Sequence, residues 1–165
     1  MRASLERIYR RHRQGLYTLS LSITRCPSRA EDAVQEAFTR LWKSAVRPHG
    51  DPVAYVFAAV RNAAVEQMRR RRADAGQQEP PVSIYDGASA DPAVAAAEAE
   101  RIEAVRDAVA QLPRAQREVL VMRIYGGLKF AQVAEAVGRP LPTVTTQYRR
   151  ALERLRGKMD PNHEG

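Results

Sequence analysis

The stretch FAQVAEAVGRPLPTVTTQYR, running from Phe130 to Arg149, carries the spacing of two short helices that meet across a tight turn. Ala134 is small enough to sit where two helices approach closely. Gly138, four residues on, supplies the left-handed conformation that a turn of this kind requires. Val144, six residues further, anchors the second helix, and Val133, Val137 and Leu141 are expected to complete the packed seam. These offsets are those of a helix-turn-helix, whose second helix lies in the major groove of DNA. That helix offers Thr143, Thr145, Thr146, Gln147, Arg149 and Arg150. Arginine can pair with guanine, glutamine with adenine, and threonine with polar edges or a thymine methyl. An ordinary helical hairpin with a solvated basic face is the bland alternative. Spacing, turn glycine and exposed donors agree against it. The motif alone leaves a repressor, a response-regulator output domain and an initiation factor equally open.

Outward from this motif the whole chain reads as helical, with no run of alternating strand residues. Leu5, Ile8, His12, Leu16, Leu19 and Ile23 line one face of a first helix that ends at Cys26-Pro27. Ser28 and Glu31 have the spacing of a capping box opening a second helix, with Val34, Ala37, Phe38, Leu41 and Ala45 as its apolar stripe. A loop at Arg47-Pro48-His49-Gly50 precedes Asp51-Pro52, an N-cap followed by proline in the first helical turn. The third helix buries Val53, Val56, Phe57, Val60, Ala64 and Met68 and runs out into Arg69-Arg70-Arg71-Arg72. Residues 1–73 then form one small helical domain. Residues 74–91, with Gly76, Pro80, Pro81 and Gly87, have the composition of a flexible, acidic linker. Residues 92–160 form a second domain. Its first helix presents Ile102, Val105, Val109 and Leu112, and a short helix follows Pro113 with Val119, Leu120 and Ile124. The helix-turn-helix comes next, with helices expected over 129–137 and 142–158, and residues 161–165 are a tail. The fold class is all-α: two small helical domains joined by a linker, the C-terminal one a helix-turn-helix.

Composition limits the chemistry. The 165 residues carry 27 Lys and Arg against 19 Asp and Glu, a formal net charge of +8 that suits a polyanionic partner. One cysteine, Cys26, excludes an intrachain disulfide and a thiolate zinc cluster. Beside a helix-ending proline it reads as a packed residue rather than a redox sensor. His12, His49 and His163 lack ligand spacing, so no metal or other cofactor is expected. No phosphate-binding glycine loop or nucleophile–base arrangement is present, and Glu31 and Asp32 are adjacent on a helix, so their side chains point apart; the chain does not read as an enzyme. It has no apolar signal core or membrane-spanning stretch, so a cytoplasmic location without membrane insertion is expected.

Both halves together resemble one family. Asp32-Ala33-Val34-Gln35-Glu36-Ala37-Phe38, followed by Trp42, is similar to region two of bacterial RNA polymerase sigma factors. Arg61-Asn62 and the run Arg69 to Arg72 resemble the helix that reads and melts the minus-ten element. Leu112-Pro113, Gln116 to Leu120, Gly127-Leu128 and the helix-turn-helix resemble region four, which binds the minus-thirty-five element. The absence of room for regions one and three points to the extracytoplasmic-function (ECF) group. The resemblance implies core RNA polymerase and promoter DNA as partners, with an anti-sigma factor as regulator.

It also implies residue roles. Asp32, Gln35, Glu36, Phe38, Thr39 and Trp42 would meet polymerase. Tyr55, Arg61, Asn62, Arg69 and Arg70 would meet the minus-ten element. Thr143, Thr145, Thr146, Gln147, Arg149 and Arg150 would meet the upstream element. Taken without the family, the polar face of the second helix reads first as a solvated face and only second as a partner surface, Trp42 is a core or interface anchor, and Tyr55 is a core or base-stacking residue. The loop from Arg47 to Asp51 is the expected pocket for an unpaired base. Tyr55 stands where the family often has Trp, Glu66 where Asp is frequent, and Gln147 where Arg is frequent. The competing class is a helix-turn-helix regulator that binds duplex DNA without polymerase.

Overall fold

The structure, a computed structural model, describes residues 2–74 and 92–160. Among the described residues there are seven α-helices and no strand: α1 (Arg2–Thr24), α2 (Pro27–Lys43), α3 (Pro52–Ala73), α4 (Pro92–Ala110), α5 (Arg114–Ile124), α6 (Phe130–Val137) and α7 (Leu141–Met159). The linker at 75–91, the Asp91 cap and the tail at 161–165 lie outside the described residues.

α1 stops at Thr24, because Arg25 takes a left-handed φ of 55° while its amide still donates to the Leu21 carbonyl. α2 starts at Pro27, two residues earlier than a Ser28 cap requires. Proline has a helical φ and no amide to satisfy, so it takes the first position. Cys26 becomes the N-cap, with no side-chain cap bond, and the expected Ser28–Glu31 capping box does not form. Cys26 itself is buried, its sulfur 3.2 Å from the Ser28 hydroxyl. α3 starts as the sequence indicates: the Asp51 carboxylate accepts from the amides of Val53 and Ala54 at 2.8 and 3.0 Å.

The C-terminal half of α1 is buried all round, including Thr18, Ser20, Ser22 and Thr24. Their burial is tolerable because the last three hydroxyls donate to backbone carbonyls: Ser20 to Ala30, Ser22 to Leu19 and Thr24 to Ser20. α2 and α3 pack on α1 from one side and α5 packs from the other. A Cβ on Gly15 would stand 2.8 Å from the Gly126 Cα and the Tyr125 carbonyl, so glycine is what lets α1 meet the end of α5 this closely.

The sequence reads as two units, and the structure packs those units against each other. A single apolar cluster runs from Leu16 and Leu19 through Phe38, Phe57 and Val60 to Val121, Met122, Leu128, Val133 and Val144. A smaller one joins Val109, Leu112, Leu120 and Ala151. Two expected stripes are revised. Of the α4 positions only Val109 and Leu112 are buried, while Ile102 is half-buried and Val105 exposed. In α5 Ile124 is exposed, and Gln116 through Met122 are buried without a break, because α5 lies between α1 and α7.

Candidate nucleic-acid and protein interfaces

The helix-turn-helix is built on the expected pivot. Gly138 has φ 67° and ψ 37°, Val133 and Val144 are fully buried, and Val137 is half-buried. Leu141 does not join the seam. As the first residue of α7 it faces outward at 46% exposure, and the joint is closed instead by an edge-on contact of Phe130 with Tyr148, centroids 5.1 Å apart. On α7, Thr145, Arg149 and Arg150 are exposed, and Thr143, Thr146 and Gln147 are half-buried. The Thr145 hydroxyl donates to the Pro142 carbonyl, and Arg149 reaches Glu153 only at 3.9 Å, so its guanidinium is loosely held.

On α2, Asp32, Gln35 and Thr39 form an exposed polar face, and Trp42 is 46% exposed at its end. Phe38 is not on that face. It is only 4% exposed, with its ring edge-on to Tyr9 and tilted against Trp42, so its role is to seat the tryptophan from below. Glu36 pairs with Arg40 one turn on along α2 and turns toward α3, where it accepts from Gln67 and lies 3.5 Å from Arg70.

Along α3, Asn62 is exposed and Tyr55 half-buried. Tyr55 lines a mainly apolar cavity of about 280 Å³ together with Ser4, Leu5, Ile8, Leu41, Arg47, Pro48, Pro52 and Val56. That volume is at the lower end of small-ligand clefts. Arg69 is bound by both carboxylate oxygens of Glu66, which hold its pKa above the ordinary arginine value. Arg61 points to the other half of the molecule. Its Nε donates to Glu118 at 2.8 Å, and Arg114 donates to the other oxygen of the same buried carboxylate.

Glu118 is one of four linkers between the halves that composition and spacing did not reveal. Gln132 accepts from the Lys129 amide at the start of α6 and donates to Asp51 at 3.0 Å, joining the N-termini of α6 and α3. The Glu135 carboxylate accepts from the Asp51 amide at 2.9 Å. Arg25 donates to the Ala110 carbonyl at 2.7 Å, at the end of α4 where cations are favoured. The buried Arg117 donates to the same carbonyl; burial lowers its pKa and nearby Arg25 adds to this, with Glu118 opposing.

Burial raises the pKa of Asp51, but the bonds from Ala54, Gln132 and Val53 and the charge of Lys129 outweigh it, so the net value falls below the ordinary 3.8. A depressed carboxylate stabilises the fold above its unfolded pKa, and that contribution is lost as pH falls through the folded value. Asp51→Ala is therefore expected to destabilise by about 1–2 kcal/mol at pH 7. In urea titrations the gap from the parent should narrow once the pH drops below about 4. A gap constant from pH 6 to pH 3 would contradict this assignment.

A helix-turn-helix with an exposed polar and basic α7, packed on a second helical unit with an exposed tryptophan and polar face, gives the molecule two chemically distinct exposed surfaces. Comparison with known proteins makes this specific. The Sigma-70 region 2 model matches residues 8–73, and the Sigma-70 region 4 model matches residues 102–155. The ECF RNA polymerase sigma factor RpoE of Cereibacter sphaeroides is 31% identical over 137 residues, 80% of this chain and 73% of that protein. SigK of Mycobacterium sp. (strain KMS), also an ECF sigma factor, is 28% identical over 157 residues, 90% of this chain and 79% of that protein. Among solved structures, RpoE in complex with the anti-sigma factor NepR from Bartonella quintana superposes with a TM-score of 0.72 at 21% identity, covering 98% of this chain and 97% of that one. CnrH in complex with the cytosolic domain of CnrY gives 0.68 at 20% identity, covering 98% and 91%. The chain belongs to the ECF sigma factors of bacterial RNA polymerase. Its function is promoter recognition in transcription initiation. No helix among the described residues is long and apolar enough to cross a membrane.

Proposed function

We propose that the chain recruits core RNA polymerase through the α2 face of Asp32, Gln35, Thr39 and Trp42, with Glu36 and Phe38 supporting that face from behind. α7 reads the upstream element with Thr143, Thr145, Thr146, Gln147, Arg149 and Arg150. α3 holds the opened downstream element, with Asn62 on a base or backbone edge, Tyr55 at the wall of the base pocket, and Arg61, Arg69 and Arg70 on phosphates. The observation that carries this reading is the coexistence, in one chain, of an exposed Trp42 beside acidic and amide groups and a basic helix-turn-helix. A regulator acting on duplex DNA alone needs only the second.

Arg61 reaches a phosphate only when its pair with Glu118 opens, so the two halves separate on the promoter. Residues 1–73 and 92–160 act as two modules, and residues 74–91 as the tether that keeps each at high effective concentration near the other. An anti-sigma partner that holds the halves together would oppose this opening. The protein works in the cytoplasm, where polymerase is, and has no catalytic role of its own. Run-off transcription with purified core polymerase on a genomic fragment pool tests the reading. Transcripts starting at a discrete set of promoters are expected. Failure both to bind core and to start any transcript would sink it.

A further inference from the structure

Leu141 is a large apolar side chain of the helix-turn-helix that packing leaves unused. It is the first residue of α7 and exposed, while Val133, Val144 and the contact of Phe130 with Tyr148 close the joint without it. A lone exposed leucine is ordinary on a protein surface. The place of this one is not, because in a helix-turn-helix the N-terminal residues of the second helix are those that reach base edges. The start of α7 is also poor in polar groups. Pro140 is the N-cap, no side chain caps the helix, and Pro142 has no amide to donate. The two prolines restrict the backbone on either side of Leu141, so its side chain is presented from a stiff segment.

Thr145 lies four residues on, on the same face of α7, and is exposed as well. Its hydroxyl donates to the Pro142 carbonyl at 3.0 Å. A threonine hydroxyl has one proton to give, so what remains for a partner is the γ-methyl and an acceptor lone pair. Arg149, a further four residues along, is exposed and only loosely held by Glu153. The face therefore runs from an isobutyl group through a methyl to a guanidinium. In the major groove thymine alone presents an apolar group, its C5-methyl; the other bases present only donors and acceptors there. A polar base edge pressed against Leu141 would lose its water and gain no hydrogen bond. We infer that Leu141 and Thr145 read thymine C5-methyl groups in the upstream promoter element, which makes Leu141 a specificity-determining residue of α7. This inference rests on the reading of α7 as the helix that enters the upstream element, and deepens it.

The test uses holoenzyme assembled from core polymerase and this chain, on a promoter fragment recovered from the run-off pool. Each thymine of the upstream element, on either strand, is replaced in turn by deoxyuridine, which keeps the base pair and removes only the 5-methyl. With the parent, two positions should each lose about fourfold in affinity, the usual effect of one buried methyl-sized group. L141A should bind the thymine promoter about fourfold more weakly, and at one of the two positions the ratio of thymine to deoxyuridine affinity should fall to unity. L141M, which keeps a long apolar chain, should retain that ratio. T145S, which removes only the γ-methyl, should abolish the ratio at the other position. R149Q should weaken binding to both forms alike and leave both ratios unchanged. The melting midpoint of L141A should move little, since Leu141 belongs to neither apolar cluster. The inference fails if no thymine of the upstream element responds to loss of its methyl, or if L141A keeps the parent's ratio at every position that does. It fails equally if the upstream element shared by the recovered promoters contains no A·T pair. In each of these cases promoter-specific binding by the parent would leave the sigma-factor reading standing. Failure of the unsubstituted protein to bind core or start transcripts would instead sink that reading itself.

Discussion

Phe57→Ala is expected to lower stability by about 3–5 kcal/mol, the usual cost of emptying a buried phenylalanine site. The side chain is 0% exposed and occupies the centre of the main cluster. It meets His12 of α1 edge-on at 5.7 Å, and a Cβ on Gly126 would lie only 3.0 Å from its ring. It therefore fills space between α1, α3 and the turn after α5. Domains of this kind are stable by about 5–15 kcal/mol in total, so the loss is a large fraction of the whole. For a chain of this length it corresponds to a drop of roughly 6–20 °C in the melting midpoint. Ile124→Ala, at a 52% exposed position on α5, is the matched control and should move the midpoint by little. Calorimetry that found the two variants equally stable would show that Phe57 does not hold these elements together.

The elements themselves were legible because their signals are local. Asp51-Pro52 marked the start of α3, and Gly138 with Val144 marked the helix-turn-helix, since a cap or a left-handed turn is decided by residues within one turn of each other. Burial was less legible wherever it depends on what arrives from a distance. Leu141 and Ile124 are apolar and in phase with their stripes, yet both face outward because no element covers them. Gln116, Arg117 and Glu118 are polar and buried, since α5 is enclosed on two sides. Periodicity locates a face but cannot say that a second face is also covered. The ion pair of Arg61 with Glu118 spans 57 residues of sequence, and Asp51 with Gln132 spans 81; neither partner bears any mark of the other. The same limit applies to the candidate base pocket. Its loop side, Arg47 and Pro48, was indicated by the family resemblance, while its α1 side of Ser4, Leu5 and Ile8 emerged only from packing.

Trp42→Ala should weaken binding to core polymerase by about 2–4 kcal/mol, roughly 30- to 700-fold in Kd, with little change in the melting midpoint. Tryptophan is the residue type that most often dominates a protein interface, provided it is held rigid and surrounded by groups that exclude water. Here Phe38 supports the indole from inside, with centroids 6.2 Å apart, and Tyr9 packs on the far edge of Phe38. The side chain is thus oriented before any partner arrives, which reduces the ordering cost of binding. Asp32, Gln35 and Thr39 on the same helix would form the polar rim. Being 46% exposed, Trp42 contributes little to the core, so its loss should leave the fold intact, unlike loss of Phe38. A fluorescence titration of labelled core separates the two effects. Trp42→Phe should recover part of the affinity by keeping an aromatic ring on Phe38, whereas Asp32→Ala at the rim should cost less than about 1 kcal/mol. If Trp42→Ala bound core as tightly as the parent, the polymerase surface would have to lie off α2, and the exposed tryptophan would be left without a partner.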